Sequence, residues 1–76
     1  MYQVNINCGY ERGLVNCTSL IDARLKWTAI RDEDGGYGAS DMRKGNGDIF
    51  CVGKLVARVS YNGRLWYPDG SEIFPA

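Results

Sequence analysis

The chain has 76 residues, of which 45% are hydrophobic and 24% are charged. This length allows a single small domain over residues 1–76, and the composition is typical of a globular protein and excludes wholesale disorder. Nine basic and nine acidic side chains cancel, which argues against a general electrostatic attraction to nucleic acid or to an acidic membrane.

No apolar run approaches the roughly 20 residues that a membrane span needs. The segment MYQVNINCGY has neither the basic start nor the apolar block of a signal peptide. Three cysteines without CxxC spacing predict reduced thiols in a cytosolic protein. A bridge between Cys8 and Cys17 requires that their strands pair and that the compartment is oxidising.

The first half of the chain predicts two strands and a helix. Residues 2–8 alternate apolar and polar side chains, as in a half-buried strand, and residues 14–17 can return as a second strand. Ser19 is a good N-cap with Asp22 three residues later, which predicts a helix from about Leu20 to about Glu33.

The apolar residues of this helix form two stripes at about 100° per residue. One stripe is expected to face the sheet: Leu20, Ala23, Trp27 and Ile30. The other lies roughly opposite: Ile21, Leu25 and Ala29. Either short loops or the chain ends cover this second stripe, or it contacts a partner or a second copy of the chain.

The second half predicts strands over residues 49–52, 55–61 and 64–67, with a tight turn at Gly53 and Lys54, and residues 71–74 can add a short edge strand. The order is β-β-α-β-β-β. It predicts the α+β class, with an antiparallel sheet of about five strands and one helix packed on one face.

Asn62 and Gly63 separate two apolar runs, which predicts a hairpin with a two-residue type I′ turn. That turn sets the register, with Val59 opposite Trp66. The expected core face then carries Leu55, Ala57, Val59 and Trp66. The opposite face, which has no predicted cover, carries Val56, Arg58, Ser60, Leu65 and Tyr67.

Catalytic and metal-binding signatures do not occur in the sequence. Histidine is absent, and no GxSxG, HExxH or paired-carboxylate arrangement is present. Three cysteines without histidine make a poor zinc site. The sequence therefore predicts a protein that is not an enzyme and that holds no metal or cofactor.

Two groups of residues are candidates for contact with a partner. The first is the acidic helix end with its following loop: Asp32, Glu33, Asp34, Tyr37 and Asp41. Carboxylates at a helix C-terminus oppose the helix dipole, so this group is either a solvated helix end or an acidic surface for a basic groove. The second group lies on the uncovered sheet face: Arg58, Leu65 and Tyr67. Arg58 and Tyr67 can alternatively form a stacking platform for single-stranded nucleic acid.

The segments TSLIDARLKWTAIRDEDGGYGASDM and GKLVARVSYNGRLWYPDG are similar to small proteins encoded by bacteriophages. The size and the β-β-α-β-β-β order resemble several anti-CRISPR inhibitors, which pair one helix with an antiparallel sheet. The resemblance implies a bacterial host cytoplasm and stoichiometric binding to a Cas protein or surveillance complex. The alternatives are a small single-stranded nucleic-acid-binding module and a homodimeric structural protein that pairs through Ile21, Leu25 and Ala29.

Overall fold

The computed structural model describes residues 1–7, 12–33 and 44–74. These residues form β1 (Tyr2–Asn7), β2 (Arg12–Cys17), α1 (Leu20–Glu33), β3 (Asp48–Cys51), β4 (Lys54–Val59), β5 (Leu65–Trp66) and β6 (Glu72–Ile73). The strands make one antiparallel sheet in the order β2-β1-β3-β4-β5-β6, and α1 packs on it. The predicted α+β class is confirmed, with β6 as the short edge strand. No helix in the described part of the chain is long and apolar enough to cross a membrane.

The start of α1 is fixed by a side-chain cap. The Asp22 backbone N–H donates to Ser19 Oγ at 3.0 Å, and the Asp22 carboxylate accepts from the Thr18 backbone N–H at 2.9 Å. Lys26 adds an ion pair to Asp22 at 3.2 Å. The Thr18 hydrogen bond, followed by the bond from Lys26, holds the pKa of Asp22 below its ordinary value. The predicted N-cap and helix bounds are therefore confirmed.

The core lies between α1 and one face of the sheet. Ala23 and Trp27 are fully buried on the helix, and the sheet contributes Val4, Ile6, Cys17, Ile49, Ala57, Val59, Leu65 and Ile73. Leu20 and Ile30 pack against this cluster as the predicted inner stripe. The outer stripe of Ile21, Leu25 and Ala29 is exposed, with Leu25 at 58%.

The segment before β3 is held by a buried asparagine and a glycine. Asn46 Oδ1 accepts from Trp27 Nε1 and from the Asn7 backbone N–H, both at 3.1 Å. The Gly47 N–H donates to the Asn5 carbonyl, and the Gly47 carbonyl accepts from the Val59 N–H, each at 2.8 Å. Gly47 thus continues the pairing of β3 with both neighbouring strands, and a Cβ there would lie 2.4 Å from the Val59 carbonyl oxygen.

The predicted register of the β4–β5 hairpin is wrong by one residue. Val59 pairs with Leu65 and Arg58 pairs with Trp66. The Ser60 N–H donates to the Arg64 carbonyl, so the loop spans residues 61–63, and Gly63 has φ 83°. A three-residue loop with glycine in the left-handed region replaces the expected two-residue turn, and a shift by one residue exchanges the two faces of β5. Leu65 is therefore in the core, and Trp66 is on the opposite face.

A β-bulge changes the faces at the start of β4. Ile49 pairs with Ala57, whereas Phe50 pairs with Leu55, so Val56 is the extra residue. Val56 packs against the core, and Leu55 is 41% exposed. The expected positions of Leu55 in the core and Val56 on the open face are therefore both wrong.

The β3–β4 turn and the cysteines also refine the sequence predictions. The central turn residues are Val52 and Gly53, with φ 52° and 76°, one position earlier than predicted. Cys17 is a free, buried thiol, and burial raises its pKa. Cys8, the predicted alternative partner of Cys17, lies outside the described residues.

Candidate binding surface

The sheet face opposite α1 carries a row of polar and aromatic side chains. Asp48 pairs with Arg58, Arg58 with Trp66, and Trp66 with Glu72. Directly opposed residues in an antiparallel sheet point to the same face, with Cβ atoms about 4.5–5.5 Å apart. The row therefore places an acid, a base, an indole and a second acid side by side across four strands.

Trp66 is half-buried, and its indole is held in a defined position. Its Nε1–H donates to Ser60 Oγ at 3.0 Å, and Ser60 Oγ donates in turn to Asn62 Oδ1. Asn62 Oδ1 also accepts from the Arg64 backbone N–H at 3.3 Å. The hairpin loop thus supplies the acceptor that a partly buried indole N–H requires.

An open cleft of about 560 Å³ lies beside this row. Asp48, Arg58 and Trp66 line it from the sheet, while Tyr61 and Asn62 line it from the hairpin loop. Volumes of roughly 300–1,000 Å³ are typical of sites for small ligands or for an anchoring side chain of a partner.

Asp48 is the acid among the residues that line the cleft. Burial raises its pKa above the ordinary value, and the attraction of Arg58 opposes that rise without cancelling it. No hydrogen bond or ion pair to its carboxylate is found in residues 1–7, 12–33 and 44–74. A Cβ on Gly45 would lie 3.9 Å from Asp48 Oδ2, so the carboxylate sits close to the backbone that precedes β3.

The other half of this face is amide-rich and bonded within itself. Gln3 Nε2 donates to Asn16 Oδ1 at 3.0 Å, and Asn5 Nδ2 donates to the Gly45 carbonyl at 2.8 Å. Leu14, directly opposite Asn5, is 53% exposed. The polar side predicted for the first strand is thus tied to the segment before β3 and offers few free groups to a partner.

The acidic end of α1 contacts the hairpin loop through Arg31. Arg31 Nη1 donates to the Tyr61 carbonyl at 3.0 Å, and its Nε pairs with Asp32 Oδ1 at 3.1 Å. The Arg31 guanidinium also lies 5.8 Å from the centroid of the Trp27 ring. Asp32 and Glu33, both exposed, therefore belong to the same end of the molecule as the hairpin loop.

The structure describes five of the eight side chains that the sequence nominated for partner contact. Asp32, Glu33 and Arg58 are exposed, and Tyr67 is 47% exposed just after β5. Leu65 is the correction: it is fully buried, and it cannot contact a partner while the protein is folded. The other three nominated residues, Asp34, Tyr37 and Asp41, lie outside the described residues.

Asp48 and Trp66 are residues of the sheet face opposite α1 that the sequence did not predict, whereas Ser60 was expected on it but was not nominated for contact. The sequence places Trp66 in the core because Asn-Gly predicts a two-residue hairpin loop. A glycine at the third loop position, as at Gly63, also suits a three-residue turn, so the local sequence is compatible with either loop length.

Comparison with known proteins leaves this chain without a family assignment. No protein-family model matches it, and neither the curated proteins nor the solved structures contain a significant match.

Proposed function

We propose that this protein is a non-enzymatic inhibitor that binds a bacterial defence protein and blocks it by stoichiometric contact. The contact surface is the end of the molecule where the acidic helix terminus meets the hairpin loop that lines the cleft. The single observation that carries the proposal is the Arg31–Tyr61 hydrogen bond. It ties the acidic end of α1 to the hairpin loop, and the same loop lines the cleft, which supports a shared role in contact.

The composition of this surface supports binding. A half-buried tryptophan held by a hydrogen bond, with Arg58 beside it, matches the residue types that dominate binding energy at protein interfaces. Charged side chains around it match the polar rim of such interfaces. The resemblance to anti-CRISPR inhibitors supports a Cas protein or surveillance complex as the partner class.

The acids at the end of α1 are better explained by binding than by stability. Asp32 and Glu33 occupy the last turn, where carboxylates oppose the helix dipole and basic residues are favoured. Arg31 is the basic residue of that turn, and it is already engaged with Tyr61 and Asp32. A partner with a basic groove would gain from the exposed acids through charge complementarity.

Affinity capture from lysates of defence-competent bacteria, followed by calorimetric titration of the purified partner, tests this proposal. We expect saturation at one inhibitor per binding site and loss of the partner's activity at that ratio. The variant Asp32→Asn/Glu33→Gln removes two negative charges and is expected to weaken binding at least about tenfold.

The matched control places the same change of net charge on another side of the helix. Leu25→Lys/Ala29→Lys adds two positive charges on the exposed outer stripe and is expected to bind like the wild type. If the control loses affinity and the Asp32/Glu33 variant does not, the outer stripe is the contact surface and the proposed surface is wrong.

A second candidate function is single-stranded nucleic-acid binding. The sequence predicted Tyr67 opposite Arg58, but the observed register places Trp66 there, and the Arg58–Trp66 pair favours this function instead. An aromatic ring beside a cation on an open sheet face is the usual platform for stacked bases. This function predicts a band shift with single-stranded DNA or RNA that weakens steeply with salt and is lost in Trp66→Ala. The absence of any shift at low salt would exclude it.

A third candidate is a homodimer, which the exposed outer stripe of Ile21, Leu25 and Ala29 favours. Light scattering at high protein concentration tests it, since a monomeric mass would exclude this assembly.

A further inference from the structure

The cleft contains a carboxylate whose charge is poorly compensated. Asp48 is half-buried, and Arg58, its cross-strand partner, is exposed. The two form no ion pair, and within the described residues no donor reaches the Asp48 carboxylate. A cation that entered the cleft would meet a carboxylate that has already lost part of its hydration, so the attraction would be stronger than at an open surface.

The opposite wall of the cleft is aromatic. Trp66 lines it and lies two strands from Asp48 in the same row. Two strand spacings place their backbones about 9.6 Å apart. Arg58 projects from the strand between them, so a planar group that stacks on the indole and reaches the carboxylate lies over the Arg58 side chain.

We infer that this cleft receives an arginine side chain of the partner protein, with Asp48 as the counter-ion and Trp66 as the stacking surface. The inference rests on the proposed function and names the chemistry of the partner. A guanidinium is planar, forms paired hydrogen bonds to a carboxylate and stacks on aromatic rings, whereas an ammonium group is a compact and strongly hydrated charge. The cleft therefore selects arginine over lysine.

The effect of removing Arg58 distinguishes a cationic ligand from an anionic one. It is a like charge to the incoming guanidinium, so its removal strengthens binding of a cation. For an anionic ligand, such as a nucleotide phosphate, Arg58 is the attractive group and Asp48 the repulsive one. Asp48→Asn therefore weakens binding of a cation and strengthens binding of an anion, and Arg58→Gln does the reverse.

The experiment is an NMR titration of the ¹⁵N-labelled full chain with N-acetyl-arginine amide. Parallel titrations use N-acetyl-lysine amide, N-acetyl-glutamate amide and AMP. We expect saturable shifts of the Trp66 indole N–H and the Ser60 amide with the arginine probe, weaker shifts with lysine and none with glutamate. Asp48→Asn is expected to weaken arginine binding at least about tenfold, because a hydrogen bond to a charged group is lost. Arg58→Gln is expected to tighten it.

Several outcomes would overturn the inference. One is the absence of saturable shifts when the arginine probe is added to the folded wild-type protein. Another is binding of AMP that Arg58→Gln abolishes, which would assign the cleft to a nucleotide. The probe experiment needs no partner protein, so its failure is separable from that of the proposed function. Loss of partner binding in Asp32→Asn/Glu33→Gln without arginine binding would refute this inference alone.

Discussion

Replacement of Gly47 by alanine tests whether the junction of β1, β3 and β4 is built as described. Gly47 has φ 89°, which L-residues adopt only with strain. A Cβ on this residue would lie 2.4 Å from the Val59 carbonyl oxygen, although ordinary contact begins at 3.4 Å. The two strands must therefore separate locally by about 1.0 Å, the difference between these distances. The 2.8 Å hydrogen bond from Val59 N–H to the Gly47 carbonyl cannot survive that movement.

The expected loss of stability has two parts. The positive φ costs about 1–2 kcal/mol for a residue with a Cβ. A buried backbone pair left without its hydrogen bond costs about 1–3 kcal/mol more. Gly47→Ala should therefore lower the free energy of unfolding by about 2–5 kcal/mol. A domain of this length is expected to have about 4–11 kcal/mol in total, so the variant loses a large share of its stability.

Urea unfolding followed by tryptophan fluorescence measures the change, provided that the m-value stays constant. Gly53→Ala is the matched control: φ there is 76°, and no atom lies within 4 Å of the added Cβ. It should lose only the conformational part, about 1–2 kcal/mol. Equal losses in the two variants would show that Gly47 does not pack against the Val59 carbonyl, and the described junction of β1, β3 and β4 would be wrong.

Three further predictions concern the turn, the cleft and the register. Val52→Asn should raise the free energy of unfolding by about 1 kcal/mol, because Val52 is 95% exposed with φ 52° and Asn-Gly suits a type I′ turn; an unchanged urea midpoint would contradict this. Asp48→Asn should stabilise the protein at pH 7. Burial raises the folded pKa of Asp48, so the stability of the wild type falls as pH rises through the window between the ordinary value of 3.8 and the raised one. If Asp48→Asn still melts at a higher temperature than the wild type below pH 3.8, burial of the Asp48 charge is not the reason for the stabilisation. Leu65→Ala should cost about 2–5 kcal/mol of unfolding free energy, because the side chain is fully buried. A loss below about 1 kcal/mol would restore the two-residue hairpin turn, with Leu65 on the surface.

The elements that depend on local sequence were predicted well. The helix follows from Ser19, Asp22 and the 3.6-residue spacing of Ala23, Trp27 and Ile30, and the hydrogen bonds of the cap lie within a few residues of one another. Strand alternation over residues 2–8 likewise predicted β1. In both cases, the residues that determine the element are neighbours in the chain.

The faces of β4 and β5 could not be predicted, because distant contacts decide them. Asn-Gly suits a two-residue turn, but Gly63 packs against α1, where a Cβ would meet Thr28 at 3.2 Å and Arg31 at 3.4 Å. Arg31 also bonds the Tyr61 carbonyl. Sequence pattern contains no signal for these helix-to-loop contacts. The bulge at Val56 is another such case, since a strand with one extra residue has the same types of residue as a regular strand.

The prediction of the binding surface also succeeds where local sequence decides and fails where distant contacts decide. Arg58 is exposed as predicted, because its face did not depend on the hairpin register. Trp66 was missed and Leu65 was nominated wrongly for one shared reason, the length of the loop. The positions of Asp32 and Glu33 depended only on where α1 ends, and the helix ends at Glu33 as predicted.

The observed register of the β4–β5 hairpin is also the one in which both indole N–H groups have hydrogen-bond acceptors. A second tryptophan on the core face would need a buried acceptor for its indole N–H, and Asn46 already accepts from Trp27. With Leu65 buried, the core gains a side chain without polar atoms, and the Trp66 N–H finds Ser60 at the cleft edge. The arrangement that satisfies the core therefore leaves a large aromatic half-exposed in a fixed orientation. A net charge of zero does not weaken a binding role for this surface. Asp48 and Arg58 cancel in the sum, yet they differ in burial, and a ligand in the cleft responds to that local difference.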